Sequence, residues 1–138
     1  MVSILFVCYG NICRSPMAEY IFKYLGKNKY KVESRATSNE EIGNDMYYKS
    51  KEELIKHNIP FNRHYAQQIT IEDYNNYDVI ICFDDNNYHT LCNKFGSNKV
   101  RKLLKKEIDD PWYTRDFEKA YKDIYNGCIN LLREIENE

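Results

Sequence analysis

Two short, unbroken apolar runs stand out along the chain, Ile4-Leu-Phe-Val7 and Val79-Ile-Ile-Cys-Phe83. Turn-formers follow each: Tyr9-Gly10-Asn11 after the first, and Asp84, Asp85, Asn86 and Asn87 after the second. Runs of this length and β-branched or aromatic make-up predict strands buried on both faces, at residues 3–7 and 78–83. Residues 31–36 predict another strand, and residues 100–104 a weaker fourth. Between them the apolar positions change to helical spacing. Ser15-Pro16 offers an N-cap and a first-turn proline to a helix bearing Ala18, Ile21, Phe22 and Leu25, with Gly26 to close it. Residues 47–58 predict a second helix. The strongest stripe is Phe117, Tyr121, Ile124, Cys128, Leu131 and Ile135, one apolar face of a long last helix. Strands alternating with helices predict a single α/β domain over residues 1–138, with a four-stranded parallel sheet flanked by helices on both faces.

Composition narrows the classes of function. The 138 residues (16.6 kDa) are 43% hydrophobic and 14% aromatic, enough for a core, so disorder is excluded as the dominant state. Twenty basic against 21 acidic side chains leave no overall field for nucleic acid or an anionic membrane. No stretch nears the roughly 18 apolar residues of a membrane span. The apolar start lacks the basic residues and length of a signal peptide, and Phe6 and Val7 stand where a lipoprotein anchor at Cys8 needs small residues. Five cysteines are scattered without a Cys-x-x-Cys pair, and His57, His64 and His89 have no ligand spacing. These features predict no metal, no cofactor, no disulfide framework and a reducing cytoplasmic setting.

The candidate chemistry lies just after the first strand, where parallel sheets bind their ligands. There a cysteine, five residues, an arginine and a serine run Cys8-Tyr9-Gly10-Asn11-Ile12-Cys13-Arg14-Ser15. A loop closing into a helix N-terminus aims several backbone N–H groups into one cavity, which suits a phosphate dianion. Gly10-Asn11 can take left-handed backbone angles. Arg14 can fork onto two phosphate oxygens. The same field favours the thiolate of Cys8, Ser15 can donate to its sulfur, and a thiolate under a bound phosphate is placed for in-line attack. The plain alternative is a buried cysteine beside a surface arginine. Expulsion of an alcohol or phenol needs a proton, and Asp109-Asp110-Pro111-Trp112-Tyr113 supplies a carboxylic acid on a loop, with Trp112 and Tyr113 to flank an aromatic leaving group. A simple Asp-Pro loop is the alternative there.

At these residues the chain resembles the low molecular weight protein tyrosine phosphatases. The resemblance rests on Val7-Cys8-Tyr9-Gly10-Asn11-Ile12-Cys13-Arg14-Ser15-Pro16-Met17-Ala18-Glu19 and on Asp110-Pro111-Trp112-Tyr113. Weaker echoes are Ser34-Arg-Ala-Thr-Ser38, Ile42-Gly43-Asn44, His64-Tyr-Ala-Gln-Gln-Ile-Thr70, Glu72-Asp-Tyr74 and Tyr77-Asp-Val-Ile-Ile-Cys-Phe-Asp84. It implies metal-free hydrolysis of tyrosine-phosphorylated proteins or peptides through a phosphocysteine on Cys8. Arg14 and the amides of residues 9–15, Tyr9 to Ser15, would hold the phosphate, and Asp110 would serve as acid and then base. It further implies a supporting network of Asn11, Ser15, Ser34 and His64, with the role of Asp84 open. Departures from the family pattern are Tyr9 for a leucine at the pocket rim, Glu40 for an aromatic wall and Arg35 for a small residue; they bear on substrate preference.

Two relatives of the same fold are the rivals. A thioredoxin-coupled arsenate reductase needs two further cysteines about seven apart, whereas Cys82 and Cys92 are ten apart. A protein-arginine phosphatase carries threonine where Ile12 stands. A phosphopeptide-binding pseudoenzyme would lack a reacting group, and Cys8, Arg14 and Asp110 are all present. Cys13 is either packing beneath the loop or a resolving thiol for an oxidised Cys8.

Overall fold

A computed structural model describes residues 2–137. Strand β1 (Ser3–Cys8) is buried along its whole length, as its unbroken apolar run requires. Its side chains alternate: Ile4, Phe6 and Cys8 join one apolar cluster, Leu5 and Val7 the other. With β2 (Lys31–Ala36), β3 (Val79–Cys82) and β4 (Val100–Lys102) it forms a parallel sheet in the order β2-β1-β3-β4. Phe6 lies opposite Ser34 on β2 and Ile81 on β3. The sheet thus matches the four-stranded parallel arrangement read from the pattern, with β3 and β4 somewhat shorter than predicted.

Helices α1 (Arg14–Leu25), α2 (Tyr48–Lys56) and α6 (Phe117–Glu136) cover one face of the sheet. Phe6 packs there against Phe22 of α1 and Phe83, at centroid separations of 6.0 and 6.3 Å. Removing such a ring costs about 3–5 kcal/mol. The predicted stripe of α6 is buried from Phe117 to Leu131. Gly127 lets that helix come close, since a Cβ there would stand 2.5 Å from Leu103 Cγ.

The other face is covered by α3 (Ile71–Asn76) and α4 (Asp85–Phe95), two helices the apolar pattern did not announce. Residues 84–87 were expected to form a turn. Instead Asp84 caps α4, its side chain accepting from Asn87 N–H at 2.7 Å, and Tyr88, Leu91, Cys92 and Phe95 form a narrow apolar stripe in an otherwise polar segment. Helix α3 is closed by a capping box of Thr70 and Asp73.

A second correction concerns the start of α1. The helix begins at Arg14 with Cys13 in the capping position and Pro16 inside its first turn, so Ser15 is not the N-cap. The Ser15 hydroxyl turns instead toward Cys8. The chain leaves β1 between neighbours reached in opposite directions, β2 on one side and β3 on the other. That switch point opens a crevice at the carboxyl ends of the strands.

Candidate active site

The crevice is lined by Cys8, Tyr9, Gly10, Ile12 and Cys13 from the first loop, Glu40 and Glu41 from the loop after β2, and Asp110, Trp112 and Tyr113. Eight of these ten were named from the sequence; Glu41 was not, and Glu40 was named only for its effect on preference. The remaining expected residues lie just beneath: Asn11, Arg14, Ser15, Ser34 and His64 are all buried.

Cys8 sits at the end of β1, and its sulfur accepts from the backbone N–H of Asn11 at 3.3 Å and of Ser15 at 3.4 Å. Ser15 Oγ lies 3.0 Å away. Ser15 Oγ itself accepts from Asn11 Nδ2 at 2.8 Å, and its own proton has two acceptors in reach, the sulfur at 3.0 Å and the Arg35 carbonyl at 3.4 Å. Two backbone N–H groups and the Ser15 hydroxyl thus converge on one sulfur. The loop can hold this shape because Asn11 is left-handed, at φ 61°. Gly10 is not left-handed, so the strained position falls on the asparagine alone.

Asn11 is fixed on every side. Its amide also donates to Ser34 Oγ at 3.0 Å, its Oδ1 accepts from Gln67 N–H at 3.1 Å, and its carbonyl accepts from His64 Nε2 at 2.7 Å. The Ser34 hydroxyl in turn donates to Glu19 Oε1 at 2.6 Å, and Glu19 is paired with Lys23. The carbonyl partner fixes the His64 tautomer with hydrogen on Nε2. Burial lowers the His64 pKa. Asp45 in turn accepts from the His64 backbone N–H at 2.9 Å. Although burial opposes its charge, the Lys51 contact and the N–H groups of His64 and Met46 hold the Asp45 carboxyl down at about 2.

Arg14 is 2% exposed, yet its guanidinium is only half engaged. Nη1 donates to Asp84 at 2.7 Å and to the Ile108 carbonyl at 2.8 Å. Nε is buried with no partner, and Nη2 faces Asp110 at 3.5 Å. Nε and Nη2 form one edge of the fork, which is the edge a tetrahedral oxyanion takes bidentately. Asp84, whose role the sequence left open, therefore carries two loads: it caps α4 with one oxygen and orients Arg14 with the other.

Asp110 was expected on a loop. It caps α5 (Pro111–Thr114), a single helical turn, accepting from Trp112 N–H at 3.0 Å. Its side chain is 23% exposed and borders the crevice, whereas Asp109 lines a different cleft with Asp116 and Asp123. Trp112 and Tyr113 stand exposed at the mouth. Sequence reasoning missed Glu19, Asp45, Tyr47, Gln67 and Arg115 as supports, although Glu19 lies within the first quoted motif and Gln67 within the quoted His64–Thr70 stretch.

Comparison with known proteins agrees with this geometry. Residues 3–138 match the family model described as "Low molecular weight phosphotyrosine protein phosphatase". The Gallus gallus protein of that name is 38% identical over 149 residues, covering 95% of this chain and 91% of that one. The low molecular weight protein-tyrosine-phosphatase YfkJ of Bacillus subtilis is 35% identical over 153 residues, covering 100% and 98%. Among solved structures, the low molecular weight protein tyrosine phosphatase of Streptococcus pyogenes superposes with a TM-score of 0.93 at 37% identity, over 97% of this chain and 93% of that one. The crystal structure of YfkJ superposes with a TM-score of 0.94 at 36% identity, over 99% and 96%. The chain belongs to the low molecular weight phosphotyrosine protein phosphatase family and is an enzyme of the protein tyrosine phosphatase class.

Proposed function

We propose that this protein hydrolyses phosphotyrosine in proteins or peptides through a phosphocysteine on Cys8, without metal or cofactor. The observation that carries this reading is the pairing of Cys8, ringed by two backbone N–H groups and the Ser15 hydroxyl, with the Nε–Nη2 edge of a buried arginine whose Nε has no partner. The phosphate oxygens take the loop N–H groups and that edge, which leaves phosphorus directly above the sulfur. The sulfur attacks in line, the P–O bond to tyrosine breaks, and Asp110 gives its proton to the departing phenolate oxygen. Trp112 and Tyr113 flank the aromatic ring as it leaves. Asp110, now ionised, takes a proton from a water that attacks phosphorus, and the P–S bond breaks to release inorganic phosphate. Asn11, Ser34 and His64 act by holding the loop's shape.

Two further parts of the reading follow. The five cysteines are odd in number and scattered along the sequence, and on that pattern we place the protein in a reducing, cytoplasmic setting. Burial pushes the Cys13 thiol up to about 12, so Cys13 is a neutral partner beside the reactive sulfur. If peroxide converts Cys8 to a sulfenic acid, Cys13 condenses with it, forming an S–S bond and releasing water, and a dithiol reverses the link.

The arsenate-reductase alternative fares poorly against the fold. Cys82 and Cys92 belong to the apolar cluster on the far side of the sheet from Cys8, so a sulfur relay from Cys8 would have to cross the sheet. The deciding assay is turnover on phosphotyrosine, phosphoserine and phosphoarginine peptides without added metal, with arsenate plus thioredoxin alongside. Release of phosphate from phosphotyrosine alone supports the proposal. Preferred turnover of phosphoarginine, or arsenate reduction, overturns it.

A further inference from the structure

Arg115 holds a left-handed backbone, φ 63° and ψ 14°, at the C-terminal cap of α5. Glycine or asparagine takes that conformation with less strain, so a long branched side chain here needs a reason of its own. The side chain supplies one. Nη2 donates to the Tyr47 hydroxyl at 2.6 Å and Nη1 to the Trp112 carbonyl at 3.1 Å. The guanidinium also lies 5.3 Å from the Tyr47 ring centroid and 5.6 Å from that of Trp112. The Tyr47 and Trp112 rings meet edge to face at 4.8 Å.

Each end of this clasp reaches a reacting group. The Tyr47 backbone N–H donates to the Ile12 carbonyl at 2.8 Å, so Tyr47 is tied to the loop that carries Cys8. Trp112 N–H donates to Asp110 Oδ1, so Trp112 is tied to the acid. Apart from the 3.5 Å pair of Arg14 with Asp110, the Arg115–Tyr47 contact is the one polar link among the described residues from residues 109–116 to a segment other than the adjoining α6.

We propose that Arg115, braced on Tyr47, is a positioning residue that sets Asp110 at the height of the leaving oxygen above Cys8. The proposal rests on the reading of Asp110 as the general acid. Without the clasp the α5 turn swings on its two ends, and Asp110 spends less time within hydrogen-bond reach of the oxygen it must protonate.

The test is the dependence of kcat/KM on leaving-group acidity across a series of aryl phosphates, because kcat/KM reports the step that expels the phenol. Arg115→Gly removes the side chain and suits the left-handed backbone, and Arg115→Asn serves as a second variant. Both should fall about tenfold on phenyl phosphate and on a phosphotyrosine peptide, yet stay within about twofold on dinitrophenyl phosphate, whose leaving group needs no proton. Tyr47→Phe keeps the ring and should give a smaller loss with the same dependence. In an Asp110→Asn background, Arg115→Gly should change nothing further. Equal losses on every substrate, persisting loss in the Asp110→Asn background, or unchanged rates throughout would each overturn the role of Arg115. If Asp110→Asn itself leaves the leaving-group dependence as in the wild type, the acid assignment fails, and the positioning role falls with it.

Discussion

The two halves of the proposed reacting centre are built differently. The nucleophile loop, residues 8–15, is cross-braced and mostly buried, with only Tyr9 exposed at its rim: Asn11 alone is held by Ser15, Ser34, Gln67 and His64. The acid turn, residues 109–116, is a single helical turn, exposed except at Pro111 and partly at Asp110, hung between buried Ile108 and buried Phe117. The contrast follows from what each half must do. The loop must present the same donors to the same small dianion every time, so any looseness subtracts from transition-state binding. The turn must meet a phenolate oxygen that arrives and leaves with each substrate, so it carries few braces, and those few decide how long Asp110 stays within reach.

Changes to the loop should therefore hurt most and hurt every substrate alike. Cys8→Ser should lower turnover by at least about 10⁴-fold while vanadate and sulfate still bind, since the amides and Arg14 remain. Residual activity near the wild-type level would remove Cys8 from the mechanism. Arg14→Lys should also disable the enzyme, because a point charge cannot present the two-hydrogen edge or keep both Asp84 and Ile108 satisfied.

On the other side of the comparison, Asp110→Asn should slow phosphotyrosine by about 10²–10⁴-fold and slow activated aryl phosphates much less. Asp109→Asn should be nearly silent, because Asp109 faces another cleft. A larger loss from Asp109→Asn would exchange their roles.

The bracing beneath the loop can be probed through stability. Asn11→Ala removes three side-chain hydrogen bonds and puts alanine at a left-handed position, which should destabilise the fold by about 2–4 kcal/mol in urea unfolding. His64 adds a pH signature of definite sign. Burial holds its pKa below the ordinary 6.5, so the unfolded chain accepts a proton that the folded one refuses. Its contribution is whole above about pH 6.5 and is lost as pH falls through the lower folded value. The wild-type Tm should drop more between pH 7 and 5 than that of His64→Gln. Parallel curves would show that His64 is not the buried neutral donor described here.

The smallest effect belongs to the rim. Glu40 and Glu41 both border the mouth, so the crevice should prefer basic to acidic residues beside the phosphotyrosine. Glu40→Gln should reduce that preference by only about two- to fivefold in kcat/KM, as expected of an exposed charge. An unchanged ratio would place Glu40 away from bound peptide.

Legibility in the sequence divides along the same line. The nucleophile loop could be read because its groups are contiguous, from Cys8 to Ser15, and because strand and helix signals flank them. Asp110 could be read from the proline and aromatics that follow it. Asp84, Gln67, Tyr47 and Arg115 reach the site only when the chain closes on itself; Asp84 and Gln67 fall in weaker echoes of the family that give no role, and no local pattern marks Tyr47 or Arg115. The same physics hid α4, whose four apolar side chains are outnumbered by Asp, Asn, His and Lys. It also misled the reading of Ser15, a good capping residue whose hydroxyl the Cys8 sulfur takes instead.

A covalent phosphate on Cys8 can be trapped. Wild-type enzyme mixed with a labelled phosphotyrosine peptide, denatured at alkaline pH within the first turnovers and digested, should carry phosphate on the peptide containing Cys8. The Cys8→Ser protein treated the same way should carry none. Turnover without any phosphocysteine, or with phosphate on another residue, would contradict the account.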